Sequence, residues 1–259
     1  MNEKKTALVM GGTKDKVFAM AVFLLSLKET NGDLTDEIII FHDGIPERDQ
    51  KRILKIYPIR FVTYISPFGE MRIDFPSKQR FTDMVFWKYE CLRLLEDYHM
   101  VIWMDYDMIV HGDLSELCTP VMGGCRFIIT ENMKNYIKNN FMINDSAIND
   151  ITVGVHASTF VLYDNLPSYK MMYYWCIDAT KKYMRNLHLP EQMIFSLMIK
   201  RFNLNVYPLS FQLYSPKPWD RGKVWDIYVK IWHSYGTRKF WTTWDVPEWN
   251  SYFKQWEKM

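Results

Sequence analysis

The segment Val101-Ile102-Trp103-Met104-Asp105-Tyr106-Asp107 constrains this chain more than any other. Its first four residues read as a buried strand, and an ionised carboxylate at the end of such a strand is costly unless a positive charge sits beside it. In extended backbone alternate side chains share a face, so Asp105 and Asp107 lie about 6–7 Å apart at Cα and can reach a single ion. A divalent cation held by oxygen ligands is the natural guest. The same pair can also serve as a turn or a helix cap, so the metal reading needs support from the rest of the chain.

The order of elements supplies part of it. Ala7–Met10 is an apolar strand halted by Gly11-Gly12, and Asp15 to Lys28 carries a helical apolar pattern through Val17, Met20, Ala21, Leu24 and Leu25. A second β-rich run spans Glu37–Phe41, Pro46 opens a helix, and Phe61–Ile65 is a third strand. This β-α-β-α-β alternation predicts an α/β fold, with a mostly parallel central sheet flanked by helices and ligands at the carboxyl ends of the strands. A helix from about Thr82 to Glu96 leads into the strand that ends at Asp105. Further strands are expected at Arg126–Thr130 and Ser158–Tyr163, with the Asn-rich stretch from Glu131 to Asp150 between them read as a loop or lid. Helices follow at about Tyr169–Arg185 and Glu191–Lys200, the second opened by Pro190; Tyr207 to Gly222, with Pro208, Pro216 and Pro218, is expected to hold little regular structure.

Composition excludes several classes. Lysine and arginine number 32 against 30 acidic residues, so the charge of +2 argues against a nucleic-acid partner. The longest apolar run, Val17 to Leu27, is too short to span a bilayer, and the first residues lack a cleavage-site pattern. The four cysteines match neither zinc-site nor disulfide-scaffold spacing. A cytoplasmic protein with reduced thiols is the expectation. Tryptophan crowds the last fifth of the chain (Trp219, Trp225, Trp232, Trp241, Trp244, Trp249, Trp256), which fits core packing, stacking on sugars or a membrane interface equally well. Gly11-Gly12 is better read as a tight turn than as a phosphate cradle, because the third glycine and the lysine-serine pair of phosphate loops are missing.

His233-Ser234-Tyr235-Gly236-Thr237-Arg238-Lys239-Phe240-Trp241 follows the short apolar strand around Ile231-Trp232. With this the chain resembles glycosyltransferase family 8, whose members end the catalytic domain in His-x-x-Gly-x-x-Lys-Pro-Trp; Phe240 replaces the proline. The resemblance extends to Ser26-Leu27 at the end of the first helix, Arg80, the Asp-x-Asp strand with Val110-His111-Gly112-Asp113-Leu114 behind it, and Glu191-Gln192 where the family has Asp-Gln.

The resemblance implies a single GT-A type domain over 1–259, with a nucleotide-binding half, 1–115, and an acceptor-side half, 116–259. It implies a retaining enzyme that moves a hexose, glucose or galactose, from a UDP-sugar to a carbohydrate or protein hydroxyl. Asp105, Asp107 and His233 would hold Mn2+ or Mg2+, and Lys239 and Gly236 would meet the diphosphate. Lys88 would point at the breaking bond, Glu191 would position the donor sugar, and Gln192 would lie nearest the anomeric carbon. Met10, Gly11, Thr13, Arg80, Tyr106, His156 and Ser158 complete the implied donor contacts. His156-Ala157-Ser158 stands where the family has Asn-x-Gly, and Lys16 where an aromatic residue stacks on uracil, so donor recognition is expected to differ in detail. A nucleotidyltransferase and a non-catalytic sugar-nucleotide-binding protein are the competing readings. Self-glycosylation, with Tyr136 as the residue to watch, homodimerisation and peripheral membrane contact stay open.

Overall fold

The structure, a computed structural model, describes residues 4–69, 75–77, 81–140, 151–222 and 227–259. Its strands are β1 (Lys5–Gly12), β2 (Glu37–His42), β3 (Ile59–Thr63), β4 (Tyr98–Met104), β5 (Met108–Val110), β6 (Gly124–Ile129), β7 (Val155–Tyr163), β8 (Asn205–Leu209) and β9 (Ile231–His233). The helices are α1 (Val17–Asn31), α2 (Glu47–Ile53), α3 (Glu90–Leu94), α4 (Glu131–Asn140), α5 (Tyr169–Tyr183), α6 (Pro190–Arg201), α7 (Phe211–Tyr214), α8 (Phe240–Thr243) and α9 (Pro247–Glu257). Seven strands form the central sheet in the order β3-β2-β1-β4-β7-β6-β8, and β5 with β9 makes a separate two-stranded ladder. Pairing is parallel for β1–β2, β2–β3 and β6–β8 and antiparallel for β6–β7. This is the predicted mixed α/β class.

By internal contacts the chain divides into two compact units that interleave in sequence. One comprises Lys5–Thr63, Met104–Pro120 and Ser210–Met259, and the other comprises Met1–Lys4, Tyr64–Trp103 and Val121–Leu209.

In the first unit, Ala7 to Met10 of β1 are fully buried, and α1 buries Val17, Ala19, Met20, Ala21, Val22, Phe23 and Leu24 around its whole circumference. Apolar residues on every face give a helix that must lie inside rather than on the surface. It packs on β5 and α9, and a core of Val22, Ile109, Val229, Trp232, Phe240, Val246 and Trp249 fills the space among them. Ser26, fully buried on α1, accepts a hydrogen bond from Val110 N (3.0 Å) and donates to Phe23 O (2.8 Å). One hydroxyl thereby ties β5, the strand just beyond Asp107, to the helix.

In the second unit, Phe127 of β6 stacks on Phe160 of β7 at a centroid distance of 4.9 Å, and Phe195 of α6 meets Phe160 edge-on at 5.3 Å. Ser196 on α6 accepts from Val155 N (3.1 Å) at the start of β7. The stretch expected to be a lid contains α4. Asn-rich composition reads as loop, but Thr130 Oγ1 accepts from Met133 N at 3.1 Å as an N-terminal cap. Met133 and Ile137, one turn apart, are both buried. Residues 141–150, including the Asn144-Asp145-Ser146 triplet, lie outside the described residues.

Gly154 makes this corner close-packed: a Cβ there would meet the Lys134 backbone N at 2.1 Å. Backbone cannot give way as a flexible side chain can. Gly154→Ala should therefore destabilise by about 1–3 kcal/mol, read as a melting temperature lower by roughly 2–12 °C. An unchanged melting curve would show that this corner is looser than the packing implies.

Other differences are local. The helix expected over Thr82–Glu96 is a 3-10 helix, Asp83–Tyr89, followed by the short α3; two turns of apolar pattern do not separate a period of about 3.0 from one of 3.6. The proline-rich stretch after Tyr207 contains the end of β8, α7 and a 3-10 turn at Pro218–Asp220. β1 runs through Gly12 instead of ending before Gly11.

Candidate active site

The site in the first unit is assembled by the β5–β9 ladder. Its antiparallel register sets Met108 opposite His233, and Ser234 extends the pairing by donating its backbone N to Asp107 O at 2.9 Å. These short strands bring together residues 126 positions apart. His233 Nε2 lies 3.1 Å from Asp107 Oδ1 and 3.9 Å from Asp105 Oδ2. One candidate ligand atom from each of Asp105, Asp107 and His233 lies within 4.8 Å of the others.

That spacing fits one divalent ion, since metal–ligand distances of roughly 2.0–2.6 Å imply ligand separations of roughly 3–5 Å. Two carboxylates and an imidazole are also the right donors for a first-row divalent metal. The imidazole is buried, and its other nitrogen, Nδ1, lies 2.9 Å from Ser215 Oγ, itself fully buried. With a metal on Nε2, Nδ1–H would donate to Ser215, the support that metal-binding histidines require; without one, Nε2 is the nitrogen that faces Asp107. Ser215 was not legible as a site residue; nothing in Ser215-Pro216-Lys217-Pro218 announces it.

Lys239 Nζ pairs with Asp107 Oδ2. Burial alone would push the Asp107 carboxyl up, but the adjacent Lys239 ammonium and the His233 ring override it and hold it well below the usual carboxylate range. Asp107 is thus an anion at neutral pH despite being buried. Tyr106, between the aspartates, stacks on Trp241 (6.4 Å between centroids, 21° between planes). Burial, then the charges of Asp107 and Asp105, hold its phenol well above the ordinary value, so it stays a donor. Gly236 adopts φ of +91°, a conformation that suits glycine and strains other residues.

The other expected residues of this unit stand at the end of β1. Met10 is fully buried and Gly11 pairs with Phe41 of β2. Thr13 Oγ1 donates to Asp15, which also pairs with Lys16. Lys14 N donates to Asp43 Oδ1 at 2.7 Å.

A second cluster lies within the other unit. Lys88, 5% exposed, places Nζ 3.2 Å from Glu191 Oε1 and 2.9 Å from Ala157 O, and 5.4 Å from the centre of the Trp103 ring. A solvated helix lysine, the bland alternative for this residue, is not what the structure holds. Glu191 is 3% exposed at the first turn of α6. The neighbouring Gln192 Oε1 is out of solvent with no hydrogen-bond partner among the described residues. His156 Nδ1 and Ser158 Oγ are 2.8 Å apart on β7. Arg80 lies outside the described residues.

The structure is thus a parallel-rich α/β sheet with a carboxylate–imidazole cluster just past a strand end. The sequence model of glycosyl transferase family 8 matches residues 7–258, and the chain belongs to that family. It is a sugar-transferring enzyme. No curated protein sequence matches the chain. Among solved structures it is similar to the galactosyltransferase LgtC in complex with donor and acceptor sugar analogues, with a TM-score of 0.74 at 14% identity over 96% of this chain and 95% of that one. It is also similar to the glycosyltransferase GlyE of Streptococcus pneumoniae TIGR4, at 0.63 and 17% over 99% of this chain and 64% of that one. Mouse xyloside xylosyltransferase 1 matches at 0.55 and 14% over 88% of this chain and 97% of its own. Among the described residues no helix is long and apolar enough to cross a membrane, and all four cysteines are free.

Proposed function

We propose that residues 1–259 form one catalytic domain of a metal-dependent, retaining glycosyltransferase. It moves a hexose, glucose or galactose, from a UDP-sugar to a carbohydrate or protein hydroxyl. The observation that carries this reading is the convergence of Asp105, Asp107 and His233 within 4.8 Å in a chain of a sugar-transferring family. A Mn2+ or Mg2+ ion held by those three residues supplies Lewis-acid stabilisation of the leaving diphosphate.

The chain's own residues do the rest. Lys239, the cation on Asp107, and the permissive backbone of Gly236 meet the diphosphate. Ser215 holds the His233 ring in place. Met10, Gly11, Thr13, Arg80 and Tyr106 take the nucleotide, and His156 and Ser158 contact the donor sugar. Lys88 contributes positive charge toward the breaking bond and Glu191 orients the donor sugar, the two fixing each other through their ion pair. Gln192 accepts a donor hydroxyl. The C1–O bond to diphosphate breaks, the acceptor oxygen bonds to C1 on the same face, and the acceptor proton passes to the departing phosphate. A neutral amide is a weak nucleophile, which favours this route over a covalent intermediate on Gln192.

A panel of nucleotide sugars with manganese, scored for nucleoside diphosphate, tests the proposal. UDP release from UDP-glucose or UDP-galactose should appear with the metal and vanish in excess chelator, and NMR of the product should show an α anomer. Full turnover in chelator would remove the metal from the scheme. A β product would remove retention.

A further inference from the structure

The first unit carries a cleft of about 540 Å³ that the transfer reaction leaves unused. Its lining includes Trp241, Trp244 and Trp256 together with Arg52 and Glu257. Arg52 is held in place: its guanidinium lies 3.7 Å over the Trp256 ring and donates Nη2 to Trp256 O at 2.9 Å. Trp241 also stacks on Tyr106 of the Asp-x-Asp turn, so the cleft adjoins the candidate metal site within one unit.

Trp244 is the unusual member. It closes α8, with its N donating to Phe240 O at 3.0 Å, in a left-handed conformation of φ +56°. Glycine is the usual residue there, and a bulky side chain costs about 1–2 kcal/mol. Its ring is edge-on to Trp249 and Phe253 at 5.0 Å, yet 47% of the residue stays exposed. Core packing explains Trp249, which is 1% exposed; it does not explain an aromatic face displayed to solvent at a strained position. Such strain is a pointer to a ligand-binding role.

We infer that this cleft binds hexose units of an oligosaccharide acceptor, away from the unit that reacts. A pyranose has an apolar C–H face that fits tryptophan and a rim of hydroxyls that fits a guanidinium and a carboxylate. Concave aromatic walls with few fixed polar groups are the normal make-up of a small-ligand site, and the volume lies within the usual range of roughly 300–1,000 Å³. An anionic membrane surface would call for an excess of cations, whereas Arg52 and Glu257 balance. A second copy of the chain would need roughly 800 Å² per partner, and of the lining only Trp244 is a large exposed apolar residue.

The inference rests on sugar transfer as the function, so the test reads binding alone. The full chain is titrated by calorimetry with linear glucose and galactose hexasaccharides, in excess chelator and without nucleotide. Saturable binding of one hexasaccharide is expected. Trp244→Gly, which relieves the backbone strain and so keeps the fold, should weaken it by about tenfold or more, while Trp244→Tyr should restore most of it. Tyr174→Ala, which removes an exposed aromatic of the other unit, should leave binding unchanged. Absence of saturable binding to both sugars, or equal binding by Trp244→Gly, overturns the inference whatever the donor assay shows. Trp244-dependent sedimentation with anionic phospholipid vesicles, or a Trp244-dependent dimer in ultracentrifugation, without sugar binding, overturns it in favour of those occupants.

Discussion

Asp107→Asn should abolish sugar transfer while leaving the fold in place. The substitution keeps the volume and an oxygen that can accept from His233 Nε2, 3.1 Å away, but removes the charge that Lys239 neutralises and that a divalent ion would need. Loss of one electrostatic element at the leaving group costs on the order of 10²–10³ in turnover, and a metal ligand sits at or above the top of that range. Manganese-dependent UDP release is the readout. Retention of more than about a tenth of wild-type turnover would contradict the proposed role.

The same residue has a pH signature. Folding holds the Asp107 carboxyl below its unfolded value because Lys239 and His233 outweigh burial. Its contribution to stability is therefore complete above about pH 4 and is lost as pH falls toward the folded value. In metal-free buffer the stability gap between wild type and Asp107→Asn should be constant near neutrality and narrow below about pH 4. A gap that widens on acidification would contradict the ion-pair account.

Glu191→Gln should produce the largest loss of stability. Lys88 and Glu191 are 5% and 3% exposed, and removing one charge of a buried pair leaves the other uncompensated, at a cost of about 3–5 kcal/mol. For a chain of this size that corresponds to roughly 6–20 °C in melting temperature. Lys88→Met combined with Glu191→Leu removes both charges and should recover most of the loss, because buried ion pairs are often no more stabilising than well-packed apolar residues. Transfer activity should stay absent in the double variant. Recovery of stability without activity would mark the pair as retained for chemistry. Recovery of both would mark it as structural.

How much of this was readable in advance varies with range along the chain. Asp105 and Asp107 were legible because an apolar run ending in two acids needs no partner element to be recognised. The β-α-β alternation was legible because each element carries its own period. α4 was misread because its two buried residues, Met133 and Ile137, are outnumbered by polar ones, and the Thr130 cap is one hydroxyl. Lys88 could be read as solvated because its burial depends on a 3-10 helix that redirects its face and on Glu191, 103 positions away.

Local order in the sequence thus determined the α/β class and the identity of the chemical groups, since strand and helix periods and the Asp-x-Asp and His-x-x-Gly-x-x-Lys patterns are properties of neighbouring residues. Only the tertiary structure decided which of those groups meet. The ladder that sets His233 beside Asp107 has three residues in each strand, too few to carry a period. The buried hydroxyls of Ser26 and Ser215 that anchor it show no pattern before the chain has closed around them. Convergence is a long-range packing outcome, and its determinants are spread over α1, β5, β9 and the end of α7 instead of being written at the site.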